Sequence, residues 1–388
     1  MQRGETGRYE TSSTSGETAR AFIPACLPPS PPLQLSARLE ALRDRSHLAL
    51  GRLDGVVAFL PEPDLFLYTY VRREALLSSQ IEGSQSSLSD LLLFELEGAP
   101  GLPFVDDVVE VSSYVEALNH GLQRLADGFP LSSRLLREIH GVLLARGRGA
   151  HCQPGEFRRS QNWIGGTRPG NTSFVPPPPG DVGNCIADLE AFIHNEHSEQ
   201  TLPPLIKAGL AHVQFETIHP FLDGNGRLGR MLISMMLTDA GILRKPQLLY
   251  MSLFFKQHRS RYYELLDVVR REGDWEAWLD FFLEGVESTA TSAFETMQRL
   301  LALFRKDEDS LRGERGSVRQ VLAVMKDRPL TSISQLMERT GSSFPTVSRA
   351  LESLMEHQIV REITGLQRNR VFIYNAYLAI LNEQAEPL

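Results

Sequence analysis

The sequence predicts a mainly α-helical protein: a helical bundle carrying a short β-hairpin flap, followed by a C-terminal winged helix-turn-helix. Three observations predict it. Apolar residues recur at three- and four-residue spacing through most of residues 36–304, the period of an amphipathic helix. Residues 151–180 break that period with Gly, Pro and short β-prone pieces. After residue 316, three short helical segments give way to two alternating segments around a glycine-containing turn.

Taken in order, residues 1–20 are rich in Ser, Thr, Gly and charge, too polar to offset their ordering entropy, and predict a disordered tail. The segment "LPPSPPL" (27–33) is a polyproline II candidate. Next, "SARLEALRDRSHLALGRLDGVVAFL" predicts an amphipathic helix ended near Pro61. A second helix starts with Asp64 as its cap and stops at Gly83, and "SLSDLLLFELEG" predicts another. Together these make an N-terminal helical region over 21–105.

Residues 106–146 read as two more helices, the later one, "LSSRLLREIHGVLLARG", with its leucines on one face. Roughly 30 residues of non-helix then follow, "HCQPGEFRRSQNWIGGTRPGNTSFVPPPPG", and such a break inside a helical domain predicts a functional loop. Helices resume over 182–196, 203–218, 226–241, 259–271 and 275–304, giving a core over 106–290. The charged "RKDEDSLRGERG" (305–316) predicts a linker, so that 291–315 is a connecting helix and linker. In 316–388, "SVRQVLAVMKD", "SISQLMERTG" and "SFPTVSRALESLMEHQ" predict three helices. The second has a Ser332/Gln335 capping box, and the third is capped by Ser343 near Pro345. "IVREITGLQRNRVFIYN" completes the wing as a hairpin.

Composition sets the limits on function. With 388 residues the chain is long for one core, and 42% hydrophobic with 23% charged residues is ordinary for a globular protein. A net charge of -8 gives no global attraction to nucleic acid or anionic membrane, so any such binding would be local. Cys26, Cys152 and Cys185 are odd in number and widely spaced, which predicts neither disulfides nor a zinc site and fits a reducing cytoplasm. No apolar run approaches the roughly 18 to 20 residues of a membrane span, and no signal-peptide h-region is present.

Chemistry concentrates in "HPFLDGNGRLGR" (219–230), between two apolar-periodic helical segments interrupted by Pro220 and Gly224-Asn225-Gly226. A glycine-rich turn at a helix N-terminus offers free backbone N–H groups and the positive end of the dipole to a phosphate. Arg227 and Arg230, three residues apart, share a helical face and can clamp further phosphate charge. Asp223 beside such a cradle is a natural Mg²⁺ ligand, because Mg²⁺ takes one or two carboxylates together with substrate phosphates. His219, just ahead, is a candidate general base. The set points to nucleotidyl or phosphoryl transfer. The spacing of His212, Glu216 and His219 fits no familiar zinc motif.

In every fixed position "HPFLDGNGRLGR" resembles the signature of the Fic family, His-Pro-Phe-x-Asp/Glu-Gly-Asn-Gly-Arg-x-x-Arg. "QPGEFRRSQNWIGG" and "SFVPPPP" are similar to the family's substrate-positioning flap, nominating Phe174 and Val175. The resemblance implies transfer of AMP from ATP to a protein hydroxyl with release of pyrophosphate. His219 would be the base and Asp223 the Mg²⁺ ligand. Asn225 and the amides around Gly224 and Gly226 would hold the α-phosphate, and Arg227 to Arg230, through Leu228 and Gly229, would line the outer phosphates. Phe221 would be a core anchor, and "RSRYY" would bring Tyr262 and Tyr263 near adenine or ribose.

"SSQIEG" (78–83) resembles the family's inhibitory helix motif, Ser/Thr-x-x-x-Glu-Gly/Asn, which assigns Ser78, Glu82 and Gly83 to self-inhibition. Glu82 would form a bidentate pair with Arg230 and displace ATP into an unreactive pose. Three alternatives remain: removal of AMP from a modified protein, transfer of another phosphate-containing group, and a nucleotide-sensing DNA-binding regulator. For the winged helix, Arg361, Arg368 and Arg370 in the wing suggest DNA. Eight Lys and Arg against seven Asp and Glu from Ser317 onward give little local excess, so target docking or homodimerisation competes with DNA there.

Overall fold

The computed structural model describes residues 1–14, 16–58, 64–97, 105–195, 202–245, 248–366, 368–383 and 385–386. The expected helix stop near Pro61 lies outside them. The chain opens on an antiparallel hairpin, β1 (Gly7–Thr14) and β2 (Glu17–Pro24), in register from Gly7 opposite Pro24 to Thr14 opposite Glu17. This corrects the disordered tail expected over 1–20. The apolar content is small but concentrated: Ala19, Ala21, Phe22 and Ile23 are all buried. Ahead of the hairpin, the N–H groups of Arg3 and Gly4 donate to Glu272 O, and that of Thr6 to Arg270 O.

Helices α1 (Ala37–Ala58), α2 (Asp64–Ile81), α3 (Leu88–Glu97), α4 (Val105–Ala126) and α5 (Ser133–Leu143) follow. Ser132 caps α5 by accepting from Leu135 N, and Leu135, Leu136, Ile139, His140 and Leu143 form its buried stripe. Residues 151–180 then hold no ladder, only an antiparallel bridge between Ile164 and Phe174. The flap is thus shorter than a hairpin, because Pro176–Pro179 have no N–H to continue one.

Next come α6 (Val182–Ile193), α7 (Pro204–Ile218), α8 (Asn225–Asp239), α9 (Met251–Gln257), α10 (Arg259–Glu272) and α11 (Trp275–Ser310). Both α7 and α8 are buried nearly all round and pack on each other at the centre of the bundle. Asp274 caps α11 by accepting from Ala277 N, and the helix continues through residues 305–310 of the expected linker, whose Arg, Lys and Glu are good helix formers. The seven-residue α9 was not predicted, since a short apolar run does not distinguish helix from strand.

The C-terminal part comprises α12 (Gly316–Asp327), β3 (Leu330–Ser332), α13 (Ile333–Thr340), α14 (Phe344–Glu356), β4 (Val360–Glu362), β5 (Val371–Tyr374) and α15 (Asn375–Asn382). Its strands form one antiparallel sheet, ordered β3-β5-β4. Ser332 caps α13 by accepting from Gln335 N, while Gln335 Oε1 accepts from the Thr331 hydroxyl, so only half of the expected capping box forms. The hydroxyl of Ser343 meets that of Thr346 rather than a backbone N–H.

Helix α2 lies between the bundle and this C-terminal part. It packs on α4, α9 and α12, and its outer side is tied down by Arg73 Nη2 donating to Glu383 O (2.7 Å) and Gln80 Nε2 to Ala385 O (3.2 Å). Among the described residues, no helix is long and apolar enough to cross a membrane.

Candidate active site

The turn between α7 and α8 gathers the predicted residues. His219 ends α7 in the left-handed conformation (φ 48°, ψ 59°), its N–H bonded to Phe215 O at 2.9 Å. Burial, and then the nearby Arg158 guanidinium, pull its imidazole down to about 4, so the ring is neutral at pH 7. Its Nδ1 has no hydrogen-bond partner. A ring that is neutral at pH 7 is what a proton acceptor needs.

Two residues hold this turn that the sequence reading did not single out. Arg158, buried, donates from Nε to His219 O (2.9 Å) and from Nη2 to Pro177 O (2.6 Å), while its own N–H bonds Pro220 O. It joins the base of the flap to the backbone at the histidine. His140 of α5 stacks on Phe221 (centroids 3.7 Å apart). Its Nδ1 accepts from Gly155 N, which leaves the hydrogen on Nε2 to donate to Asp223 O at 3.0 Å. Burial holds His140 near 4, so this neutral tautomer persists at pH 7. Both act on backbone carbonyls, and no spacing rule reports such partners.

The Asn225 side chain closes the turn on itself: Oδ1 accepts from Phe221 N and Nδ2 donates to Phe221 O, both at 2.9 Å. Its amide oxygen and one amide hydrogen are thereby used within the loop. Gly224 (φ 76°) makes the entry into α8. Leu228 is fully buried in the core, and a Cβ at Gly229 would lie 2.4 Å from Glu216 Oε1, so these two positions serve the packing of α7 on α8. Asp223 keeps 44% of its side chain exposed; Oδ1 accepts from Gly224 N at 2.6 Å and faces Arg227 Nη2 at 3.4 Å. Among the described residues, no group of three or more His, Cys, Asp or Glu could hold a metal. One accessible carboxylate beside a phosphate site nonetheless suits Mg²⁺ carried in with a nucleotide.

The two arginines differ. Arg227 is buried, with Nε and Nη1 lacking hydrogen bonds and only loose approaches to Glu110 (3.6 Å) and Asp223 (3.4 Å). Arg230 is engaged: Nε donates to Ser78 Oγ (2.8 Å), and Nη2 to Ser78 O (2.9 Å) and Glu82 Oε1 (2.8 Å). The expected bidentate fork with Glu82 is therefore a single contact, with Ser78 supplying the other two. Glu82 lies just beyond α2, where Gly83 (φ 103°) turns the chain away. Its carboxylate sits over the first turn of α8, because a Cβ at Gly226 would come within 2.3 Å of Oε1. That is where an anion is favoured by the helix N-terminus.

Tyr262 is buried, stacks on Phe255 and pairs its hydroxyl with His212 Nε2 at 2.9 Å, so it is a core residue and not an open nucleotide contact. Tyr263 is 40% exposed, and burial, then the Glu82 charge, push its hydroxyl up to about 12. Phe174 and Val175 are buried, Phe174 beneath the Arg270 guanidinium at 3.9 Å. On α7, Glu216 Oε1 is buried without a partner, and burial raises its carboxyl to about 7.

Comparison with known proteins places the chain in a family. Residues 41–123 match the Fic/DOC family N-terminal region, and residues 130–237 match the Fic/DOC family itself. A protein adenylyltransferase Fic from Drosophila melanogaster is 32% identical over 213 residues, covering 54% of this chain and 39% of that protein. Its counterpart from Drosophila persimilis is 30% identical over 278 residues, covering 68% and 49%. The chain thus spans half or less of the length of these relatives. Among solved structures, a Fic family protein from Desulfovibrio desulfuricans superposes with a TM-score of 0.57 at 19% identity, covering 89% of this chain and 98% of that one. A Fic domain containing signaling protein from Bacteroides thetaiotaomicron gives 0.51 at 18%, covering 67% and 96%. Both are likenesses of fold.

Proposed function

This chain belongs to the Fic/DOC family, and from that premise we propose that it is a self-inhibited protein adenylyltransferase, moving AMP from ATP to a Ser, Thr or Tyr hydroxyl of a target protein. One observation carries the reading: the carboxylate of Glu82 and the oxygens of Ser78 hold Arg230 at the helix N-terminus that would receive phosphate, while Arg227 keeps unengaged donors there. A site that holds one arginine firmly and its neighbour only loosely, through Glu110 and Asp223, is built to take up charge once the firm restraint leaves.

In the transfer, neutral His219 takes the proton of the attacking hydroxyl. Its oxygen bonds to the α-phosphorus, the bond from that phosphorus to the bridging oxygen breaks, and pyrophosphate leaves. Backbone N–H groups at the start of α8 face the oxygen on which charge develops. Arg227, and Arg230 after release, hold the outer phosphates. Asp223 would hold Mg²⁺ together with phosphate oxygens, the ion neutralising charge on the departing pyrophosphate. Arg158 and His140 fix the backbone at His219 and Asp223, so both side chains keep their places as substrate arrives. Three free cysteines suit a cytoplasmic setting.

The order of helices and strands in 316–388 supports a winged helix, with α14 as the presented helix and Phe344 55% exposed in its first turn. Near-neutral charge there favours a protein partner over DNA; a salt-sensitive shift of duplex DNA by the full chain would reverse that preference. The transferase reading is tested by intact-mass analysis of Glu82→Gly protein incubated with ATP and Mg²⁺. A gain of one adenylyl group, absent when His219→Ala is added, is expected; no covalent adduct on the protein or on supplied acceptors would overturn it.

A further inference from the structure

The N-terminal hairpin, which no part of the proposed chemistry uses, lies on the flap. The N–H of Phe22 in β2 donates to Val175 O at 2.9 Å, so β2 is laid along the backbone that follows the Ile164–Phe174 bridge. Ala19 and Ala21 form a small buried cluster with Val175, against which Trp163 packs. Phe22 sits beside Phe174, ring centroids 6.2 Å apart. At the far end, Glu17 accepts from Arg168 Nη1 (3.0 Å) and Gly170 N (2.8 Å), and a side chain at Gly170 would collide with its carboxylate. At the near end, Gln214 of α7 donates to Ala25 O at 2.8 Å. The strand is therefore gripped at both ends and in the middle by the flap and by the helix that ends in His219.

On the reading that the flap positions the target, we propose that β2 is a tethered occupant of its edge, which must leave before a target segment can pair there. The inference rests on the transferase reading, and adds to it both a second restraint, independent of Glu82, and the chemistry of the segment that fits. An occupant of this edge places an acidic residue against Arg168 and the Gly170 N–H. It puts small residues at two alternate positions under Val175 and Trp163, and an aromatic next to Phe174. Larger side chains at the Ala19 or Ala21 positions would not fit, since these side chains are 5% and 0% exposed. Backbone pairing supplies affinity and the alternate side chains supply selectivity, as in other strand additions.

The test uses the full chain in the Glu82→Gly background, so that the restraint on Arg230 is already off. Ala21→Glu introduces a charge where β2 meets Val175 and frees the hairpin; trypsin cleavage after Arg20 reports that it has left. The rate of AMP transfer to a tagged His219→Ala copy of the chain is measured with and without Ala21→Glu. A rise of roughly tenfold is expected, the gain for an edge that is open one tenth of the time. If Ala21→Glu fails to fold or stays resistant to trypsin, Glu17→Lys with Phe22→Asp opens the same contact from its other points. An unchanged rate with a cleavable hairpin would overturn the proposal. So would a lower rate, which would make the hairpin part of the docking platform instead. Absence of transfer from every enzyme would instead reject the transferase reading itself, so the two failures are distinguishable.

Discussion

Arg227 and Arg230 stand three residues apart on one helix, and the motif gives them the same duty, yet their surroundings are opposite. Arg230 meets three oxygens from the end of α2, whereas Arg227 has two nitrogens without a hydrogen bond and only loose ion pairs with Glu110 and Asp223. An unsatisfied buried guanidinium is costly, so a site that tolerates one is arranged for a ligand to complete it. A satisfied one needs its present partner removed first. On the proposed function, the motif's chemistry lies within twelve residues, while its readiness would depend on Glu82 just beyond α2, 148 positions from Arg230.

The largest effect that would sharpen this contrast comes from Arg230→Ala. In the Glu82→Gly background we expect transfer to fall roughly 100-fold, the upper range of a charge-assisted hydrogen bond. In the otherwise wild-type chain the same change should alter the residual rate little, because Arg230 is already engaged. Arg227→Ala should instead cost about tenfold in both backgrounds, since its loose pairs with Glu110 and Asp223 do not involve Glu82; a background-dependent loss would break the comparison. Ser78→Ala removes the acceptor for Arg230 Nε and should raise transfer about threefold to tenfold, less than Glu82→Gly, as measured by initial rates.

The smallest effect is in pH dependence. With His219 near 4, the base is neutral across pH 6 to 8, and the rate of the Glu82→Gly enzyme should be flat there on this account, falling only as pH drops toward about 4. The same depression bears on stability. Folded His219 binds fewer protons than its unfolded form, whose value is near 6.5, so its contribution to folding is full above 6.5 and declines as pH falls toward 4. His140, also near 4, adds to that slope. Denaturant midpoints from pH 7 down to 5 would show it.

Much of the site was legible because its parts are local. His219, Asp223 and the glycine turn lie in one loop, and a phosphate cradle has a sequence form. The core helices were legible for the same reason, through their apolar period. What escaped depends on long-range partners. Arg158 and His140 work on backbone carbonyls, which any residue can supply, and Asn225 was assigned to phosphate although its side chain closes the turn. Tyr262 and Tyr263 looked alike in "RSRYY", but the helix points one into the core and one toward solvent. Residues 1–20 looked too polar to order, yet a few apolar positions on β2 find the flap, a partner that no local pattern announces.

The central claim is that Glu82, by holding Arg230, keeps the site at rest. Incorporation of label from α-labelled ATP into wild-type and Glu82→Gly protein, at equal concentration and with Mg²⁺, tests it most directly. The account predicts incorporation on the order of 10- to 100-fold faster in Glu82→Gly, the value of one charge-assisted hydrogen bond. Equal labelling of the two proteins would contradict it.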